Sequence, residues 1–173
     1  NPGNPNHLNT GNIIALYAGR PVAAADRARD TIWVGTAWGG LSKITLRKPG
    51  AEQETITLYS GDPGDPHSLG CNFVRSILED RSGFIWLGTL DGIDKFDKKT
   101  GKFTHYLDSA ADPGRPGDVM VHKVFEDLSG ILWLGTSSGL ISFDKKTGEF
   151  THYRHHPGDP TGLSSNVVST IIE

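Results

Sequence analysis

Apolar residues along this 173-residue chain come in runs of about five, bounded by Gly, Pro, Asp or Asn. Runs so short and so bounded predict strands, and no window sustains a helical period. Four runs open otherwise similar stretches: NIIALY, NFVRSI, MVHKV and NVVSTI. They predict first strands near residues 12–18, 72–78, 120–125 and 166–172. A second run follows, TIWVGT, FIWLGT or ILWLGT, then a third such as GIDKFD and a fourth such as KFTHY. Alternation along IWLGT puts Trp86 and Gly88 on one face and Ile85 and Leu87 on the other. Both faces are apolar, so the sheet must be covered on both sides.

The pattern repeats. FDKKTGKFTHY at 96–106 returns as FDKKTGEFTHY at 143–153, with Lys102 exchanged for Glu149. Trp33, Trp86 and Trp133 mark one point in each unit, so the period is near fifty, within the range that dictates repeat architectures. The linkers NPGNPNHL, DPGDPHSL, DPGRPGDV and HPGDPTGL recur as well. DRSG and DLSG read as turns between strands one and two, where Asp opens the turn and Gly takes its left-handed position. DKKTG reads as the hairpin between strands three and four, with Gly101 and Gly148 as bulge glycines. Its lysines are expected to keep an outer sheet margin soluble and unpaired.

A four-stranded meander of about fifty residues cannot bury two apolar faces alone. Radial stacking of such sheets is the β-propeller, closed by roughly 4 to 8 blades. The expected fold is therefore all-β: three four-stranded antiparallel blades plus the first strand of a fourth. The expected limits are 1–61, 62–111 and 112–155 for the blades and 156–173 for a linker and that last strand. The chain starts at a unit boundary, and Glu173 aligns with Glu79, so a piece of a longer propeller is expected. Unit one departs from the others, with Gly19 and Arg20 standing where they have Glu and Asp. Extra residues follow within RPVAAADRARD, and one more Gly follows Trp38.

Composition adds little. Twenty-two Gly and ten Pro suit a turn-rich chain. A net charge of −3 with dispersed Lys and Arg argues against a nucleic-acid partner. No apolar run approaches the roughly 18 residues of a membrane span, and no signal peptide is evident. The lone Cys71 excludes an internal disulfide.

SILEDRSGFIWLGTLDGIDKFDKKTGKFTHY and the linker DPGDPHSLGCNFV resemble the two-component regulator propeller repeat over essentially the whole chain. The resemblance implies propellers that are typically seven-bladed, in the extracytoplasmic, periplasmic region of a bacterial inner-membrane sensor histidine kinase. It implies the remaining blades of such a propeller as partners, an oligosaccharide as ligand and a membrane-bound homodimer as parent. Any kinase would lie outside these residues.

The histidines of HYRHH belong to the repeat and its linker, so no metal is expected. GTLDG lacks the Lys and the helix of a phosphate loop, and DPGDP lacks the spacing of a Ca²⁺ loop. No nucleophile elbow is present. Neither cofactor nor catalysis is expected of this segment. The outlier is Trp38, since no other unit has an aromatic there. Meander geometry puts it on one end of the blades with the PGDP linkers, Asp91 and Ser138, which makes these three the candidate ligand-binding residues. The plainer reading of Trp38 is packing against a neighbouring blade. A propeller enzyme such as a lyase and a protein-interaction scaffold stand as the alternatives to a ligand-binding sensor.

Overall fold

The computed structural model describes residues 12–19, 31–46, 54–107 and 119–172. The first sheet holds β1 (Ile13–Ala18), β2 (Thr31–Thr36), β3 (Leu41–Thr45) and β4 (Thr55–Tyr59). The second holds β5 (Val74–Glu79), β6 (Ile85–Thr89), β7 (Gly92–Asp97) and β8 (Lys102–Tyr106). The third holds β9 (Val121–Glu126), β10 (Leu132–Thr136), β11 (Gly139–Phe143) and β12 (Phe150–Tyr153). Every pairing is antiparallel between sequence neighbours, and no helix occurs among the described residues. These are three blades of a β-propeller, with β1, β5 and β9 as neighbouring inner strands.

The turns follow the sequence reading. Gly83 and Gly130 close the DxSG turns at φ 85°, while Gly101 and Gly148 close the DKKTG turns at φ 73° and 78°. Asp97 and Asp144 accept the backbone N–H of Gly101 and Gly148 at their own carbonyls, 2.8 Å in each case.

Aromatic packing joins the blades. Trp86 meets Tyr106 of its own blade and, edge-on at 5.8 Å, Phe143 of the next. Trp33 repeats this with Tyr59 and Phe96. Both indoles are buried, Trp86 to 2% exposure. Trp133 meets Tyr153 of its own blade and is only half-buried. Their shared place in the repeat predicts that Trp86 and Trp133 are both largely buried between adjacent blades; this holds for Trp86 and is corrected for Trp133, which no described blade covers. The glycine two residues after each Trp lets the next blade approach. A Cβ on Gly88 would stand 2.9 Å from Val121 Cγ1 and 3.0 Å from its carbonyl oxygen, and one on Gly35 2.7 Å from the Val74 oxygen.

Val168 occupies the corresponding place for a fourth unit. Its carbonyl lies where a Gly135 Cβ would come within 2.7 Å, and its N–H donates to the Thr136 carbonyl at 2.9 Å. Residues 166–172 nevertheless form no strand, because none of the described residues gives them a ladder partner.

Unit one also needs a one-residue correction. Ile13 pairs with Thr36 as Val74 pairs with Thr89, so Ala18 and Gly19, not Gly19 and Arg20, take the places of Glu79 and Asp80. Gly19 donates to the Thr31 carbonyl just as Asp80 donates to that of Phe84.

Candidate functional site

The turns joining second and third strands share one end of the blades with the starts of the inner strands, since Val74 pairs with Thr89 and Val121 with Thr136. Buried threonines build these turns. The Thr36, Thr89 and Thr136 hydroxyls donate to the carbonyls of Gly40, Gly92 and Gly139 at 3.0, 3.1 and 2.7 Å. The same oxygens accept the backbone N–H of Asp91 at 3.1 Å and of Ser138 at 3.0 Å. Asp91 and Ser138 therefore sit at equivalent points, each half-buried.

Trp38 differs, because its turn is one residue longer. It takes a left-handed φ of 70°, a conformation uncommon for a bulky residue. Its side chain is 70% exposed, and its ring meets Phe73 edge-on at 5.2 Å. Trp38 is thus both an exposed ring and a contact with the segment that leads into β5. The structure places Trp38, Asp91 and Ser138 on one end without gathering them into a single cavity.

Asp91 borders a cleft of about 580 Å³ that also involves Asp62, Asp65, Ser68, Asp94 and His105. The linker 61–72 forms much of its wall. Asp62 accepts the Gly64 N–H, Asp65 accepts that of His67, and Asn72 Oδ1 accepts that of Gly61. Beneath it, Asp94 (side chain 3% exposed) accepts the Gly70 N–H at 2.8 Å. Its other oxygen lies 2.8 Å from His105 Nδ1, and His105 Nε2 lies 3.2 Å from the Pro66 carbonyl. The registers put Ser42 and Ile141 at the Asp94 position and Leu58 and His152 at that of His105, so this pair belongs to the second blade alone.

A carboxylate orienting an imidazole is half of a general-base site. Here both groups are engaged with the linker, on outer strands β7 and β8, away from the inner edge. The pair clamps the linker. Sequence reasoning passed over it because His105 looked like a repeat residue; the signal was Asp94, a carboxylate where the other units carry Ser and Ile.

The opposite end holds a cross-blade ion cluster. Lys145 Nζ donates to Asp80 Oδ2 of the preceding blade at 3.0 Å and to Glu126 Oε1 at 2.6 Å. Asp80 Oδ2 also accepts Trp86 Nε1–H at 2.8 Å, and Oδ1 accepts the N–H groups of Ser82 and Phe84. Burial alone would raise the Asp80 pKa, but these bonds outweigh it and hold the carboxyl below the usual range. Burial likewise works against the Lys145 charge, yet its two carboxylates raise its pKa. Lys98 donates to Glu79 at 2.7 Å. The DKKTG lysines were expected to keep the sheet margin soluble and unpaired; the first of each pair is in addition bound in an ion pair. A cleft of about 440 Å³ opens beside this cluster, between blades two and three, with Trp86, Phe84 and Lys95 in its wall.

Among the described residues no group of three or more His, Cys, Asp or Glu is placed to hold a metal. His155, in the HYRHH stretch, has Nδ1 2.6 Å from the Leu163 carbonyl of its own linker. No described helix is long and apolar enough to cross a membrane.

Residues 68–91 match the family model described as two component regulator propeller. That stretch lies within the motif carrying the resemblance, and the family is the same. A structure described as the extracellular domain of the hybrid two component system BT4673 from B. thetaiotaomicron superposes with a TM-score of 0.64 at 20% identity, covering 91% of this chain and 18% of that one. The corresponding domain of BT3049 gives 0.52 at 20% identity, covering 93% and 31%. PorZ, a surface component of the type-IX secretion system of Porphyromonas gingivalis, gives 0.59 at 15% identity, covering 82% and 21%. At such identities the likeness is one of fold, and this chain spans less than a third of each. No curated protein matches the chain.

Proposed function

We propose that this chain is a ligand-binding segment of an extracytoplasmic sensor propeller, and that it binds a carbohydrate-type ligand without transforming it. The family match and the extracellular sensor domains among the structural neighbours support the sensor reading. Its context is then the periplasmic part of an inner-membrane two-component sensor, with further blades as neighbours and a homodimeric parent.

The observation that carries the ligand class is Trp38. A large ring left 70% exposed, in a left-handed turn, offers a flat apolar face beside polar groups. Ligand sites pair such walls with a few polar contacts, and stacking on an indole is how a sugar ring is held. Asp91 and Ser138, set at the same end by their threonines, supply hydroxyl partners.

Calorimetric titration with an oligosaccharide panel tests the reading. Binding should be lost in Trp38→Ala while the melting transition stays in place. A ligand seated at the DKKTG end, or product accumulating with time, overturns it.

A further inference from the structure

The inner strands share one irregularity, and the residue it sets apart differs in every unit. β1, β5 and β9 each break register with their second strand at the same point: between Ile13 and Ala15, between Val74 and Ser76, and opposite Gly135/Thr136 between Val121 and Lys123. The residues left out of the ladder are Ile14, Arg75 and His122. Around them the repeat stays apolar, with Ile13, Val74 and Val121 before and Leu16, Ile77 and Val124 two places after. A bulge frees its extra residue from pairing and re-aims the side chain. These bulges lie at the strand starts, on the end that carries Asp91 and Ser138. Ile, Arg and His at the freed position differ in size and charge, so no single packing role holds them there.

Arg75 is exposed. His122, at the equivalent point of the neighbouring inner strand, keeps Nδ1 out of solvent with no hydrogen-bond partner in the protein. Burial, and then the charge of Arg75, press the imidazole toward its neutral form. A neutral ring can still donate one N–H. Phe73, which supports the Trp38 ring, lies two residues before Arg75, so one short stretch of backbone carries both the aromatic support and the guanidinium.

We propose that Arg75 and His122 form an anion-recognising subsite on the inner edge of the Trp38 end, taking the carboxylate of an acidic sugar. The planar guanidinium can give a carboxylate two parallel hydrogen bonds. The outer nitrogen of the His122 ring, Nε2, would give a third, while Nδ1 stays enclosed. The neighbouring linker cleft is lined by Asp62, Asp65, Asp91 and Asp94, which would repel the same group. The acidic end of the ligand is thereby directed inward. This assignment rests on the sugar-binding reading above.

The test titrates the full chain with trigalacturonate and with its methyl ester, which keeps the rings and removes the charge. The acid should bind at least about tenfold tighter. Arg75→Gln and His122→Gln should each erase that preference and leave the ester's affinity unchanged. Arg75 is exposed, so its variant carries the test even where His122→Gln disturbs folding. Equal binding of acid and ester by the unaltered chain, both lost in Trp38→Ala, overturns the subsite and leaves the platform standing. An acid preference that survives both substitutions also overturns the subsite. Failure of both probes to bind overturns subsite and platform together.

Discussion

Lys145 of the third blade donates to Asp80 of the second across 3.0 Å, at the oxygen that also holds the Trp86 indole N–H. One carboxylate therefore ties a turn, an aromatic anchor and the following blade. Replacing Lys145 by Met leaves Asp80 and Glu126 short of a charged donor, with side chains only 1% and 7% exposed. The expected loss is about 1–3 kcal/mol. Lys98→Met should cost less, since Lys98 donates to one carboxylate of its own blade. Urea unfolding of the two variants side by side checks the order; equal losses would deny the cross-blade bond a role.

Acid should weaken the fold through the same residue. The folded pKa of Asp80 lies below its unfolded value, so its contribution is complete above about pH 4 and is lost as pH falls through the folded value. Asp127 acts in the same direction, chiefly through the Trp133 N–H. Lys145 acts at the other extreme: its raised pKa gives stability that persists below about pH 10 and fades as pH climbs through the folded value. Denaturation midpoints followed from pH 6 down to 2 should fall more steeply in the unaltered chain than in Asp80→Asn.

The two repeat tryptophans should differ. Trp86→Ala opens a void between blades and is expected to cost about 3–5 kcal/mol. Trp133→Ala removes a half-covered ring and should cost clearly less. Melting transitions of both variants decide it, and equal shifts would mean that the covering blade contributes nothing.

Gly70 should resist even a methyl group. Its Cβ would fall 2.8 Å from His105 Nδ1 and 3.0 Å from Asp94 Oδ1. Gly70→Ala is expected to cost about 1–3 kcal/mol through overpacking and a displaced linker. Adding His105→Ala makes room, so the double variant should recover part of the loss. Additive losses would show that the clamp and the glycine do not communicate.

The strands, turns and blade order were legible because a two-residue alternation between Gly- and Asp-rich turns leaves little choice. Ladder partnership was not legible. Residues 166–172 have the composition of β5, yet a strand needs a neighbour and the described residues offer none. Nor could the eye set the frame of unit one. Asn12 looks like Asn72, but it stands one residue before Ile13 while Asn72 stands two before Val74, so Gly19 falls at the Asp80 position, beside Trp33. For the site, the outlying Trp38 was visible as an exception, and the Asp91 and Ser138 turns followed from meander geometry. The Asp94–His105 clamp was hidden, because its members lie on different strands and only register brings them together.

Because Lys145 and Asp80 are 65 positions apart and belong to different copies of the repeat, neither of these two copies contains the lock alone. Duplicating a unit whole would supply a matching donor and acceptor at each new seam, whereas mutating one copy exposes its fault in the neighbour. In descendants of such a chain, substitutions at the two ends of this ion pair should accordingly be inherited together across the seam.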